Sequence, residues 1–327
     1  MIITQTPYRI SLFGGGSDYP AWYLNHGGRV LSFSINKYCY VSVRQLPPFF
    51  QHKIRVSYSK VETVDHYSQI QHPAVREALR IYSPNEGLEI QHHGDLPAQS
   101  GVGSSSAFAV GLLNSVHRLN GSKLENSELA QLAIDFEQNE LKENVGSQDQ
   151  IACALGGINT IDFEKNGLWT AHKPDLTESQ VNAINEYLYV VFTGVHRLSS
   201  DVSVQLIDSI KSHNRLMDRN IELVEDALNI FKHESDFSGI GELLNEGWAI
   251  KKALNPASVN SALEEIWLKG LKAGATGGKV LGAGGGGFLL FWVSPQNRVK
   301  FENEFTMGVH VPVRISYGGT QVLLDQS

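Results

Sequence analysis

Where this chain puts its glycines constrains its fold more than any other feature. It has 31 glycines in 327 residues, against about 23 expected from average composition. Thirteen of them fall in three places: Gly14-Gly15-Gly16, Gly101 with Gly103, and a block of eight between Gly274 and Gly287. No G-X-Y period or low-complexity tract accounts for the excess, so collagen-like and disordered readings fall away. Glycine permits positive φ and close backbone approach. The three clusters therefore read as loops of special geometry.

The remaining composition narrows the class. A chain of this length suggests about two domains at roughly 150 residues each, and 42% hydrophobic residues is ordinary for a globular protein. Net charge is −7, with lysines and arginines scattered. A nucleic-acid or anionic-membrane surface is therefore not expected, although one local basic pocket is compatible with it. The longest apolar run is the six residues 288–293, far short of the ~20 of a membrane span. The start, MIITQTPYRI, carries no signal-peptide pattern. Cys39 and Cys153 lack metal or disulfide spacing. A cytoplasmic protein is the expectation; a homo-oligomer is compatible with the sequence and not predicted by it.

Along the chain, strands are expected over 2–6, 8–13, 30–35, 38–44 and 88–92, and helices over 73–82, 104–119 and 127–141. Residues 156–173 read as a hairpin turning at Lys165-Asn166-Gly167. Composition shifts near Pro174-Asp175, which puts a boundary between domains 1–174 and 175–327. The second half reads as a strand over 187–192, helices over 202–216, 218–233, 238–251 and 258–272, and strands over 287–293 and 311–317. Without regular βαβ alternation, α+β is the class. His92 and His93, alternating along a strand, face opposite ways, which argues against a paired metal site.

The segment LPAQSGVGSSSA, residues 96–107, runs straight into the 104–119 helix. A helix start offers unpaired N–H groups and the positive end of the dipole, and three serine hydroxyls add donors or a metal ligand. Together these make a phosphate cradle; the plain alternative is a serine-capped helix. No G-x-x-x-x-G-K-[ST] loop exists in the chain. Gly282, Gly284 and Gly287 match a dinucleotide fingerprint formally, but the residues that follow, FLLFWV, are strand-like where that fingerprint needs a helix.

Three segments together resemble one family, the GHMP kinases: PYRISLFGGGSDYP (7–20), LPAQSGVGSSSA (96–107) and KVLGAGGGGF (279–288). Order and spacing agree across essentially the whole chain. Within the family, the first motif, together with SINKY (34–38), GSQDQ (146–150) and TGVHR (193–197), is most similar to the D-glycero-D-manno-heptose 7-phosphate kinases. The resemblance implies an N-terminal domain like ribosomal protein S5 domain 2, a ferredoxin-like C-terminal domain, and a site between them. It implies ATP- and Mg²⁺-dependent phosphorylation of a sugar phosphate at its anomeric hydroxyl. A fucokinase-like sugar-1-kinase and a non-catalytic sugar and ATP sensor are the alternatives.

The resemblance also implies roles. Asp149 would be the base for the attacking hydroxyl and Arg9 its active-site cation. Asp18, with Gly15, Gly16 and Tyr19, would bind the sugar, and Arg197 and Lys37 its phosphate. Gly101, Val102, Gly103, Ser104, Ser105 and Ser106 would hold the nucleotide, supported by Gly284 and Gly285. Ser105, preferred to Ser104, and Glu137, preferred to Glu140, would ligate Mg²⁺.

Overall fold

The computed structural model describes residues 1–83, 87–195, 202–233 and 236–326. The chain opens with β1 (Ile2–Phe13), α1 (Pro20–His26), β2 (Gly28–Gln45), β3 (Ile54–Ser57), β4 (Val61–Val64), α2 (Pro73–Tyr82) and β5 (Leu88–Gly94). Next come α3 (Ser104–Leu119), α4 (Asn126–Asp135), α5 (Gln148–Leu155), β6 (Ile158–Phe163) and β7 (Trp169–His172). The second half runs α6 (Glu178–Tyr187), β8 (Leu188–Phe192), α7 (Val202–Ile210), α8 (Asn214–His233), α9 (Gly239–Leu254) and α10 (Ser261–Ala273). It ends with β9 (Gly277–Val280), β10 (Phe288–Trp292), α11 (Arg298–Glu304), β11 (Val309–Val311) and β12 (Gln321–Asp325).

The strands form two sheets. The first has the order β12-β1-β2-β5-β3-β4, with β6 on β2 and β7 on β6. Long β2 makes this possible: its first half pairs with β6, its second half with β5, and β1 pairs along both. The second sheet, β11-β8-β10-β9, is antiparallel throughout. Its central strand β10 buries Phe288, Leu290 and Trp292 in a core continuous with the first sheet, and Leu289 and Phe291 in a second cluster on the other face. Burial on both faces explains the unbroken apolar run.

The strands expected over 30–35 and 38–44 are the single strand β2, and three further expectations are corrected. The strands over 2–6 and 8–13 are one strand, although Pro7 brings no N–H to the ladder. A register shift between Pro7 and Tyr8 opposite the extra residues Asn36 and Lys37 absorbs the defect as a bulge. The helix expected over 127–141 stops at Asp135 and continues as a π-helical turn, Phe136–Glu140.

The third correction concerns the chain end. Of the strand expected over 311–317 only Val311 lies in a strand, as the last residue of β11, and Pro312 follows it. From there the chain runs beside β2, where Asn36 N–H donates to Arg314 O at 2.8 Å and Ser316 N–H to Ser34 O at 2.8 Å. β12 then pairs with β1, Ile2 opposite Asp325. The boundary near 174 falls between β7 and α6, but the last residues of the 175–327 domain belong to the first sheet. Both cysteines are buried and free, and no helix among the described residues is long and apolar enough to cross a membrane.

Candidate functional site

A cavity of about 740 Å³ opens between the two sheets. Its floor is an ion pair. Arg9, on the central strand β1, is only 4% exposed and grips Asp149 with two parallel bonds, Nε to Oδ1 at 2.7 Å and Nη2 to Oδ2 at 2.5 Å. Asp149 stands in the first turn of α5. The third arm of the guanidinium, Nη1, donates to Gly101 O at 2.8 Å, and the Arg9 N–H donates to Val102 O at 3.0 Å. A strand residue thus fixes both a carboxylate and the glycine loop before α3. The fork geometry of arginine suits this double task.

Asp18 joins the same floor from the first glycine loop. Its Oδ1 accepts from Gly16 N–H at 2.8 Å and its Oδ2 from Gln148 N–H at 3.4 Å, while Ser147 N–H donates to Asp18 O at 2.9 Å. Burial, and then the nearby charge of Asp149, push its pKa up to about 6. Gly146 is needed for this approach, because a Cβ there would lie 1.9 Å from Asp18 Oδ2. Gly15, Gly16 and Tyr19 also line the cavity, and Asn220 of α8 donates to Gly15 O at 2.8 Å.

The roof is the start of α3. Gly103 is its N-cap and carries no side-chain cap, so the helix presents backbone N–H groups and its dipole towards the cavity. Gly101 and Gly282 touch backbone to backbone: a Cβ on Gly101 would lie 2.5 Å from Leu281 O, and one on Gly282 2.4 Å from Gly101 Cα. The third glycine block therefore clamps the second. Lys251 of α9 caps that clamp, donating to Val280 O at 2.9 Å and Gly282 O at 2.5 Å.

Beside the roof, Glu137 is buried in the π-helical turn, where its Oε2 accepts from Ser106 Oγ at 2.7 Å and Gln150 Nε2 at 2.5 Å. Among the described residues no cation pairs with it, and burial pushes its pKa up to about 8. Glu140 is on the surface, paired with Arg80 at 2.7 Å. The cavity's far wall is aromatic. Phe108 meets His72 at 5.0 Å and His92 at 4.9 Å, and Tyr58 meets His72 at 4.9 Å. Burial, with the neighbouring imidazoles, drops His92 to about 4 and leaves it neutral at pH 7. His93, its neighbour on β5, is exposed.

The sequence-predicted residues divide accordingly. Arg9, Gly15, Gly16, Asp18, Tyr19, Gly101, Gly103, Ser104, Ser105, Glu137 and Asp149 share the cavity. Val102 is buried in the core and contributes only its carbonyl. Ser106, not Ser105, reaches Glu137; Ser105 is exposed in the cavity. Gly284 and Gly285 pack on Ser258, Gly285 N–H donating to Ser258 O at 2.7 Å, so they brace the loop from behind while Gly282 and Ala283 face the cavity. Lys37 sits apart, in a hollow of about 460 Å³ with Arg298 and Arg314. Arg197 lies outside the described residues.

Sequence reasoning missed Lys279, Lys251, Asn220 and the Tyr58–His72–His92–Phe108 wall. Lys279 opens the third motif and could have been read there. The others are scattered over elements that meet only in the fold.

The chain matches the GHMP kinases N terminal domain over residues 69–157 and the GHMP kinases C terminal over residues 223–306, together just over half of its length. It is 25% identical over 311 residues to a D-glycero-alpha-D-manno-heptose 7-phosphate kinase of Campylobacter jejuni, covering 91% of each chain. It is 23% identical over 322 residues to a bifunctional fucokinase/GDP-fucose pyrophosphorylase of Arabidopsis thaliana, covering 90% of this chain and 30% of that protein. A solved D-glycero-D-manno-heptose 1-phosphate kinase from Bacteriodes thetaiotaomicron shares the fold, with TM-score 0.80 at 23% identity over 100% of both chains. Both domain matches fall in order along the chain, and the three motifs converge on one cavity. The chain therefore belongs to the GHMP kinase family.

Proposed function

We propose that the chain transfers the terminal phosphoryl group of ATP to the anomeric hydroxyl of a sugar phosphate, D-glycero-D-manno-heptose 7-phosphate first among candidates. The observation that carries this reading is Asp149, held bidentate by Arg9 beneath the α3 N-terminus and facing the same cavity as Asp18. Phosphoryl transfer asks mainly for positioning and charge stabilisation. Asp18 accepts sugar hydroxyls, Asp149 orients the attacking hydroxyl and takes its proton, and the oxygen–phosphorus bond forms as the β–γ bridge breaks. ADP departs with the bridging electron pair. Arg9 holds the Asp149 carboxylate in place and offsets charge gathering on the phosphoryl oxygens. The α3 N–H groups cradle the phosphates, and the aromatic wall stacks the base.

The donors around Glu137 fit Mg²⁺. This hard cation commonly takes one or two carboxylates, with substrate phosphates and water as its remaining ligands. Among the described residues Glu137 is a buried carboxylate without a cation, Ser106 hydroxyl is on it, and Gln150 Oε1 is buried without a partner. Ser106 and Glu137 would hold the ion, which when bound neutralises phosphate charge. Ser106→Ala is expected to raise the Mg²⁺ concentration for half-maximal ADP release roughly tenfold, with Ser105→Ala within about twofold of wild type. The reverse ranking would return the ligand role to Ser105.

Substrate class is tested by an ADP-release screen across sugar phosphates and free sugars. The heptose 7-phosphate is expected to give the highest kcat/KM. The fucokinase relative supports the second reading, a sugar-1-kinase that needs no substrate phosphate; preference for free L-fucose would select it.

A further inference from the structure

Among the described residues, Lys279 is a cavity cation with no carboxylate paired to it. Lys279 lies on β9 of the second sheet and reaches across the domain junction, its Nζ donating to Leu12 O of β1 at 2.9 Å. It lines the cavity. Among the described residues no carboxylate pairs with it, and the charge it feels is the like charge of Arg9. The cavity's other cations are already engaged: Arg9 on Asp149 and Gly101 O, Lys251 on the carbonyls of the third motif. Lys279 keeps two further N–H donors. A half-buried ammonium set on one neutral carbonyl carries a desolvation cost that an anion would offset. Burial, with Arg9, accordingly lowers its pKa to about 8.

Leu12 stands between Arg9 and the Gly14–Gly16 loop, so this ammonium sits where the phosphate and sugar halves of the cavity meet. We propose that Lys279 is the cavity's unassigned anion anchor, taking a phosphoryl oxygen of the bound substrates from its post between β9 and β1. This rests on the kinase reading above. Two sources share that chemistry: the terminal phosphoryl group of the nucleotide and the phosphate of the sugar.

The test is calorimetric binding of four probes to wild type, Lys279→Met and Lys279→Arg: a non-hydrolysable ATP analogue, ADP, heptose 7-phosphate and the unphosphorylated heptose. Lys279→Met is expected to weaken one phosphoryl-bearing probe by about tenfold or more relative to its partner lacking that group. Loss confined to the ATP analogue assigns the terminal phosphoryl group; loss confined to heptose 7-phosphate assigns the sugar phosphate. A second readout serves if Lys279→Met does not fold. Repeated at pH 8.5 in buffers of different ionisation enthalpy, wild type is expected to take up protons on binding. Lys279→Arg, already protonated, is expected to take up fewer. Binding of all four probes by Lys279→Met within about twofold of wild type, or equal proton uptake by wild type and Lys279→Arg, would overturn the proposal and leave the kinase reading standing. Failure of wild type to bind any probe would defeat both.

Discussion

Asp149→Asn is expected to lower kcat by roughly 10³-fold, within the range for losing a positioned base, while ATP binding stays within about threefold. The change keeps the volume of the side chain and can still accept from Arg9 Nε, so α5 and the glycine loop keep their places. What disappears is the carboxylate proposed to take the hydroxyl proton. Pre-steady-state quench separates the effects: the chemical step slows and the ATP on-rate does not. Near-wild-type turnover would remove Asp149 as the base.

Arg9→Met is expected to cost about 10² to 10³ in kcat, comparable to deleting a group aimed at developing charge. It should also destabilise the protein. Arg9 is 4% exposed, and its loss strands a carboxylate that is itself 24% exposed. Water reaching Asp149 softens that penalty below the ~3–5 kcal/mol of a fully buried broken pair. Gly101 O loses its partner as well, so the phosphate loop loosens and KM for ATP rises. The double variant Arg9→Met/Asp149→Asn supplies the control. Because the two residues act as one unit, its kcat should fall little below that of the worse single variant. Its melting temperature should lie above that of Arg9→Met, since the stranded charge is gone. Multiplicative losses in kcat would mean the two residues work separately.

Much of this was legible from the sequence where local chemistry and position coincide. Helix α2 runs over the expected 73–82 because Pro73 fits its first turn and His72 caps it. The hairpin turning at Lys165-Asn166-Gly167 is β6 and β7. The first glycine loop, the helix-start loop and the GSQDQ segment arrive at one cavity, as the family resemblance implies.

Where the structure adds to or departs from the sequence reading, the causes are physical. Three successive serines offer the same hydroxyl at 100° steps round α3, and only the helix register puts Ser106 on Glu137. The π-helical turn that holds Glu137 leaves no mark in a polar helical pattern. Gly284 and Gly285 look like ligand-binding glycines, yet their backbone fits against Ser258. Lys37 is near the first motif in the chain but beside Arg314 in space. The return of β12 to β1 joins the two ends of the chain, a contact no local pattern encodes.

Phosphorylation of the anomeric hydroxyl of a sugar phosphate in this cavity is the proposed activity. Its most direct test is ³¹P and ¹H NMR of the product formed from ATP, Mg²⁺ and heptose 7-phosphate. Stoichiometric ADP and a second phosphate coupled to the anomeric proton are expected, both abolished by Asp149→Asn. A phosphate on any other carbon, or ADP formed at the same rate by Asp149→Asn, would contradict it.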